Sequence, residues 1–309
     1  MRGTIVAAAL LLAACNNADE TASDAADETT ATPAAEEKGP SPAEVLAAAV
    51  SDDWKTLDPE NLLYIELERG TVIVALSPQL AQSHTEQLRK LAREGFYDGL
   101  SFYRVIDGFV AQGGDLFEQR EVKTAEKPLA ALFDEPLTDA ITFTPIKDAD
   151  GYADKVGFIE SLPAGVDGER VWHLHCTGAI AMARGIEPDT GGTEIYITLQ
   201  PQRYLDRNLT VFGRVVQGME HVQALRRVAP AESEDGDLGE TILSVKVGAD
   251  IPVFERETLE ILRSDTKTFQ SYVESRRNRP EDFFYYRPDH IDICALNVPV
   301  RVKPAEESE

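Results

Sequence analysis

The feature that most restricts the possible folds is a succession of short β-rich runs set off by turn residues. Leu62–Leu76, LLYIELERGTVIVAL, holds two such runs around Glu68-Arg69-Gly70 and predicts a hairpin. FYDGLSFYRVIDGFVAQGGD, from Phe96 to Asp115, holds two more around Asp107-Gly108. GAIAMARG (Gly178–Gly185), TEIYITLQ (Thr193–Gln200) and LTVFGRVV (Leu209–Val216) add three further candidates. Helical signals are few. Ser83-His84-Thr85-Glu86 offers a capping box, Leu88, Leu91 and Ala92 follow at helical spacing, and Gly95 is the expected stop. A short helix is expected around Met219, Val222 and Leu225. Many strands, two helices and few βαβ crossings predict a mainly β fold, a closed antiparallel barrel capped by two helices.

Two stretches do not fit a small barrel. Residues 116–176 carry scattered Asp, Gly and Pro with no clear period and read as a large insertion in a domain spanning 55–249. Residues 250–309 read as a C-terminal extension packed on that domain. There Glu255–Arg277 is expected to be helical, and PEDFFYYRPDH and Ile291–Val302 extended. Phe283, Phe284, Tyr285 and Tyr286 are expected to pack. Arg276, Arg277 and Arg279 read as a charge cluster at a helix C-terminus.

The N-terminus reads as an address. Residues 1–15, MRGTIVAAALLLAAC, join a basic start to an apolar stretch too short to span a bilayer. The ending Leu12-Ala13-Ala14-Cys15 resembles the bacterial lipobox. That resemblance implies diacylation of Cys15 and anchoring through the attached lipid; the alternative is an ordinary signal peptide with a cysteine at its cleavage site. Asn16, where an Asp is associated with inner-membrane retention, favours the outer membrane. Residues 16–42, rich in Ala, Thr, Asp and Glu, read as a disordered tether. The chain is expected in the cell envelope, facing the periplasm. Its net charge of -24, from 54 acidic and 30 basic residues, repels phosphate backbones and excludes nucleic acid as a partner. In an oxidising compartment Cys176 and Cys294 either pair as a disulfide or remain two buried thiols.

Alternation along Ser101–Ile106 puts Phe102, Arg104 and Ile106 on one face, an arginine between two apolar side chains. Such a residue is either paired in the core or used in a pocket. The surrounding FYDGLSFYRVIDGFVAQGGD resembles the most recognisable stretch of the cyclophilins. GAIAMARGIEPDTGGTEIYITL and YLDRNLTVFGRVVQGMEHVQAL resemble two later cyclophilin blocks, in order, so the likeness covers roughly residues 60–115 and 178–247. The resemblance implies a cyclophilin-like barrel and peptidyl-prolyl cis-trans isomerase activity without metal or cofactor. It places Arg104 as the catalytic arginine. Phe109, Val110, Tyr196 and Leu205 would line the proline pocket, Gln112 would bond the substrate backbone, and Ala183 with Arg184 would form the peptide-binding edge. Glu194, Tyr204 and Leu209 complete the implied substrate-binding set.

The chain departs from the family pattern at several of these positions. Tyr103 stands for the usual histidine, Glu194 for glutamine, Ile195-Tyr196 for a phenylalanine pair, Tyr204 for tryptophan, Leu209 for histidine and Arg184 for asparagine. Glu194 is the departure expected to interfere, by pairing with Arg104. It leaves open a proline-peptide-binding chaperone or scaffold with little turnover. The expected partners are proline-containing envelope proteins in the course of folding, and the membrane through the N-terminal lipid. His173 and His175 would share one face of a strand, but no third ligand cluster accompanies them, so a structural strand is preferred to a metal site.

Overall fold

The computed structural model describes residues 39–304 apart from residue 234. The expected signal peptide, Cys15, the expected tether up to residue 38 and residues 305–309 lie outside the described residues. In chain order the strands begin with β1 (Trp54–Thr56), β2 (Leu62–Leu67), β3 (Gly70–Leu76), β4 (Ser101–Val105) and β5 (Val110–Gly114). Next come β6 (Glu135–Pro136), β7 (Phe143–Pro145), β8 (Lys155–Ile159), β9 (Leu162–Asp167) and β10 (Arg170–His173). The last are β11 (Ala179–Met182), β12 (Ile195–Thr198), β13 (Val211–Gln217), β14 (Glu240–Val247), β15 (Leu259–Leu262) and β16 (Val300–Val302). The helices are α1 (Pro42–Ala47), α2 (Pro78–Arg93), α3 (Met219–Gln223) and α4 (Lys267–Asn278).

Eight strands close an antiparallel barrel in the order β11-β12-β5-β4-β14-β2-β3-β13. The β2–β3 hairpin forms as its turn residues predict, in register from Leu62↔Ala75 to Leu67↔Gly70. Leu63, Ile65, Val72 and Val74 point into the barrel, while Leu62, Tyr64 and Ile73 pack outside it against Leu259 of β15. Both faces are covered, which explains the nearly unbroken apolar run. Strand β14 was not among the predicted runs. A register shift between Ile242 and Ser244 breaks its alternation, although Ile242, Val245 and Val247 all bury.

Helix α2 closes the barrel with Leu88, Leu91 and Ala92, as their spacing predicts. It ends as expected at Gly95 (φ 66°), where Phe96 N–H donates to the Leu91 carbonyl at 2.9 Å and Gly95 N–H to Ala92 at 3.0 Å. Its start differs from the expectation. Pro78 opens the helix after Ser77, with a kink at Ala81, and no capping box forms at Ser83 because Glu86 accepts from Gln82 instead.

The insertion is not irregular. It contains a five-stranded sheet in the order β6-β10-β9-β8-β7. Val156, Phe158, Trp172 and Leu174 on one side pack against Leu262, Phe269, Tyr272 and Ile293 of the C-terminal extension. Ile159, Ala164, Val166 and Val171 on the other side pack with Leu80 of α2. Short strands covered on both faces show no polar-apolar alternation, and that hid the sheet.

The extension also departs from expectation. Glu255–Arg277 is not one helix. Leu259–Leu262 forms β15, between β1 and β16, and α4 starts only at Lys267, where Thr266 Oγ1 caps Phe269 N–H at 3.1 Å. No strand forms over residues 280–290, and Phe283, Tyr285 and Tyr286 are exposed rather than packed. Ile291–Val302 is extended only at β16, with a 3-10 turn at Ile293–Ala295. Arg277 is no surface charge. It is fully buried against Asp148 of the insertion. Cys176 and Cys294 form a disulfide with Cα atoms 4.9 Å apart, tying the extension to the end of the insertion.

Candidate functional site

The alternation predicted along Ser101–Ile106 does not hold. A register shift in the β4–β5 pairing between Ser101 and Arg104 lets Phe102 and Val105 both enter the barrel core. Arg104 is thereby turned away from the core and left half-buried, while Ile106 lies beyond the strand. The bulge removes the inconsistency of an arginine flanked by core residues.

Cross-strand register then assembles one row over five strands. Arg104 pairs with Gln112, Gln112 with Tyr196, Tyr196 with Ala181, and Ala181 with Val211. Directly paired residues share a face of the sheet. The row therefore runs from a cation through an amide to an apolar patch. The patch comprises Val110, Ala179, Ala181, Tyr196 and Val211, with Phe109, Ala183, Leu205 and Leu209 packed on it. At the charged end, Arg104 Nη1 donates to Gln112 Oε1 at 3.1 Å, and the guanidinium carbon lies 5.4 Å from the Phe109 ring centre. Among the described residues no carboxylate pairs with Arg104.

The expected interference from Glu194 does not occur. Its Oε2 accepts from the Tyr103 hydroxyl at 2.7 Å and its Oε1 from Asp115 N–H at 2.7 Å. The carboxylate is thus engaged away from the guanidinium. Burial pushes Glu194 up to about 7, opposed by those two hydrogen bonds. Gln112 Nε2 in turn donates to the Tyr103 oxygen at 2.6 Å.

Two implied site residues are not part of the apolar cluster, although both act electrostatically on Tyr196 within it. Tyr204 is 59% exposed in the turn that carries Leu205. Arg184 is tied down by the Asn208 carbonyl, at 3.1 Å from Nε and 2.9 Å from Nη2, and stacks 5.3 Å from the Phe133 ring of the insertion.

Sequence reasoning missed what lies beneath the patch. His173 and His175 do not face one another, because the chain leaves β10 after His173. His173 Nε2 meets Ser77 Oγ at 2.7 Å, whereas His175 Nε2 meets the Tyr196 hydroxyl at 2.9 Å. His175 Nδ1 contacts Asp206 at 2.9 Å, Asp206 accepts from Arg203 at 2.6 Å, and Arg203 reaches Asp150 of the insertion at 2.8 Å. The only sequence signal was a tyrosine where the family places an apolar ring.

A closed eight-stranded barrel presents an apolar patch flanked by a glutamine and by an arginine that no carboxylate pairs among the described residues, the arrangement that the cyclophilin resemblance implied. Residues 62–247 match the family model "Cyclophilin type peptidyl-prolyl cis-trans isomerase/CLD", and the chain belongs to this family of prolyl isomerases. A probable peptidyl-prolyl cis-trans isomerase of Brucella suis is 32% identical over 201 residues, covering 62% of this chain and 85% of the relative. Peptidyl-prolyl cis-trans isomerase B of Bacillus subtilis is 35% identical over 158 residues, covering 51% and 85%. The crystal structure of cyclophilin AquaCyp293 from Hirschia baltica superposes with a TM-score of 0.67 at 25% identity, covering 85% of this chain and 98% of that one. That coverage is wider than the family match, so the structural likeness extends beyond the barrel.

Proposed function

We propose that this isomerase acts on X-Pro bonds of exported proteins at the cell envelope, held there by lipid on Cys15, with Arg104 as its catalytic residue. The observation that carries the site assignment is the guanidinium of Arg104, paired by no carboxylate among the described residues and oriented by Gln112 beside the apolar patch. Rotation about the prolyl amide faces a barrier of about 18–20 kcal/mol from resonance. No bond forms or breaks. The patch of Phe109, Val110, Tyr196, Leu205 and Leu209 receives the ring, and Gln112, Ala183 and Arg184 meet the flanking backbone. As the amide twists, its nitrogen becomes pyramidal and regains a lone pair. Arg104 donates to that lone pair, an interaction present only in the twisted state, which is the kind that lowers a barrier. Arginine suits the task because it stays protonated beside apolar rings.

The reading as a binder with little turnover rested on the altered positions around Arg104, chiefly on Glu194 pairing with it. With Glu194 engaged by Tyr103 and Asp115, that chief support is gone. The Cys176–Cys294 disulfide supports export, since such bonds persist in oxidising compartments. Arg104→Ala is expected to lower kcat/KM on a proline peptide by about 10²–10³-fold, the usual loss for one transition-state donor. Equal rates for the two proteins would sink the site assignment. For the anchor, Cys15→Ser expressed in a bacterial host is expected to move from the membrane to the soluble periplasmic fraction; retention in the membrane would overturn the lipid assignment.

A further inference from the structure

Arg104 is the end of a directional chain of hydrogen bonds. Gln112 has two chemically different ends, and both are used. Oε1 accepts from Arg104 Nη1 at 3.1 Å, and Nε2 donates to the Tyr103 oxygen at 2.6 Å. A flipped amide would set its NH2 against the guanidinium, two donors facing each other. Tyr103 prevents the flip only while its oxygen is free to accept, which requires its own proton to point elsewhere. That proton goes to Glu194 Oε2 at 2.7 Å, and Glu194 Oε1 is occupied by Asp115 N–H at 2.7 Å. With Glu194 ionised, each of these four contacts sets a donor against an acceptor.

We propose that Glu194 and Tyr103 are positioning residues for isomerisation: the Glu194 carboxylate, through the Tyr103 hydroxyl, fixes the Gln112 amide so that Arg104 is presented to the twisted prolyl bond. The proposal rests on the reading of Arg104 as the catalytic residue. Space for the carboxylate is built into the fold. Residue 114 is a glycine with φ 145°, and a Cβ there would overlap both Glu194 oxygens. The two departures from the family pattern, Tyr103 and Glu194, are in direct contact, so each supplies what the other needs.

The arrangement responds to protonation. A proton on Glu194 Oε2 would place two hydrogens between it and Tyr103, and one on Oε1 would oppose Asp115 N–H. Relief comes by reversing the chain, with Glu194 donating to Tyr103, Tyr103 to Gln112, and the amide flipped against Arg104. The charged and titratable groups facing Glu194 are Tyr97 from the turn after α2, Tyr103 from β4, Asp115 at the end of β5 and Lys127 of the insertion. Both tyrosines are pushed up by burial and by Glu194 itself, so they stay protonated. Burial and Asp115 raise Glu194, while the Tyr103 and Asp115 N–H bonds and Lys127 lower it, for a value of about 7. The chain therefore reverses within the neutral range.

The test uses the full chain and NMR exchange spectroscopy on an Ala-Pro peptide between about pH 5.5 and 8.5, which needs no coupling protease. One misplaced hydrogen bond corresponds to about fivefold, so wild-type kcat is expected to rise about fivefold with pH through an apparent pKa near 7. KM should stay nearly constant. Glu194→Gln mismatches one end of the chain at every pH and is expected to give a flat profile at the wild-type acid level. Tyr103→Phe should be flat and similarly slow. A flat wild-type profile, a Glu194→Gln protein with the wild-type rate and pH step, or a loss expressed only in KM would each overturn the proposal. Arg104→Ala in the same assay separates the two failures: if it is not slowed, the underlying site assignment is wrong whatever Glu194 does.

Discussion

Removing Asp148 is expected to loosen the C-terminal extension and leave turnover intact. The Arg277 and Asp148 side chains are 1% and 2% exposed, a buried ion pair between α4 and the insertion. Arg277 Nε donates to Asp148 Oδ1 at 3.0 Å, Nη2 meets Oδ2, and Oδ1 also accepts from Ile291 N–H at 2.9 Å. Burial pushes the Asp148 carboxyl up, but these donors hold it below its ordinary value. One carboxylate thus joins the insertion, α4 and the segment leading to Cys294. In Asp148→Ala the guanidinium stays buried with only Glu274, whose side chain is 46% exposed. Breaking a buried pair by deleting one partner costs about 3–5 kcal/mol. At about 2–4 °C per kcal/mol for a chain of this size, the melting temperature should fall by about 6–20 °C. In Asp148→Leu with Arg277→Met both charges go, and the protein should recover all but the roughly 1–3 kcal/mol of the stranded Ile291 N–H. Melting followed by circular dichroism, with peptide turnover at room temperature, measures both effects. A single variant melting within about 2 °C of wild type, or a double variant less stable than the single, would refute the reasoning.

Two other expectations follow from buried groups. His84 and His173 are held neutral by burial, each at about 4, below the 6.5 of a free histidine. The unfolded chain therefore binds their protons first, and stability should fall as pH drops from 6.5 to 4, by on the order of 3 kcal/mol for each. Glu194, raised to about 7, acts oppositely, its contribution full below 4.5 and lost as pH rises through 7. Two groups outweigh one, so the urea midpoint should be lower at pH 4.5 than at 6.5; an equal or higher midpoint at the lower pH refutes this. The Cys176–Cys294 bridge closes a sequence separation of 118 residues, so Cys176→Ser with Cys294→Ser should lose about 2–5 kcal/mol of stability, read from urea unfolding. Free-thiol titration of the oxidised protein should find neither cysteine, and a reactive thiol at either position refutes the pairing.

What the sequence made legible follows from where each feature's partner lies. The β2–β3 hairpin could be read because its turn and both strands are contiguous. Residues Leu88, Leu91 and Ala92 of α2 could be read because a helix face repeats within a few residues. The insertion could not, because its sheet is covered by α2 on one side and by α4 and the extension on the other, which erases the alternation that marks a half-buried strand. Arg277 read as surface charge because Asp148, 129 residues away, is invisible in a local window. The β4 bulge, which turns Arg104 out, is a property of the pairing with β5 rather than of Ser101–Val105 alone.

Glu194 is the sharpest instance, because its meaning reversed. Considered singly, an acid near a catalytic arginine should quench it. In the fold its side-chain partner is Tyr103, 91 residues away, itself a departure from the family pattern. The phenol consumes one carboxylate oxygen and Asp115 N–H the other, so the negative charge reaches Arg104 only as an ordered amide. A histidine at position 103 offers a ring nitrogen in place of a hydroxyl oxygen and would leave the acid differently engaged. A glutamine at 194 beside Tyr103 could not accept from both the phenol and the backbone without setting its own NH2 against a donor. Neither substitution is neutral alone, and together they engage the carboxylate away from the guanidinium, the condition that the proposed role of Arg104 requires.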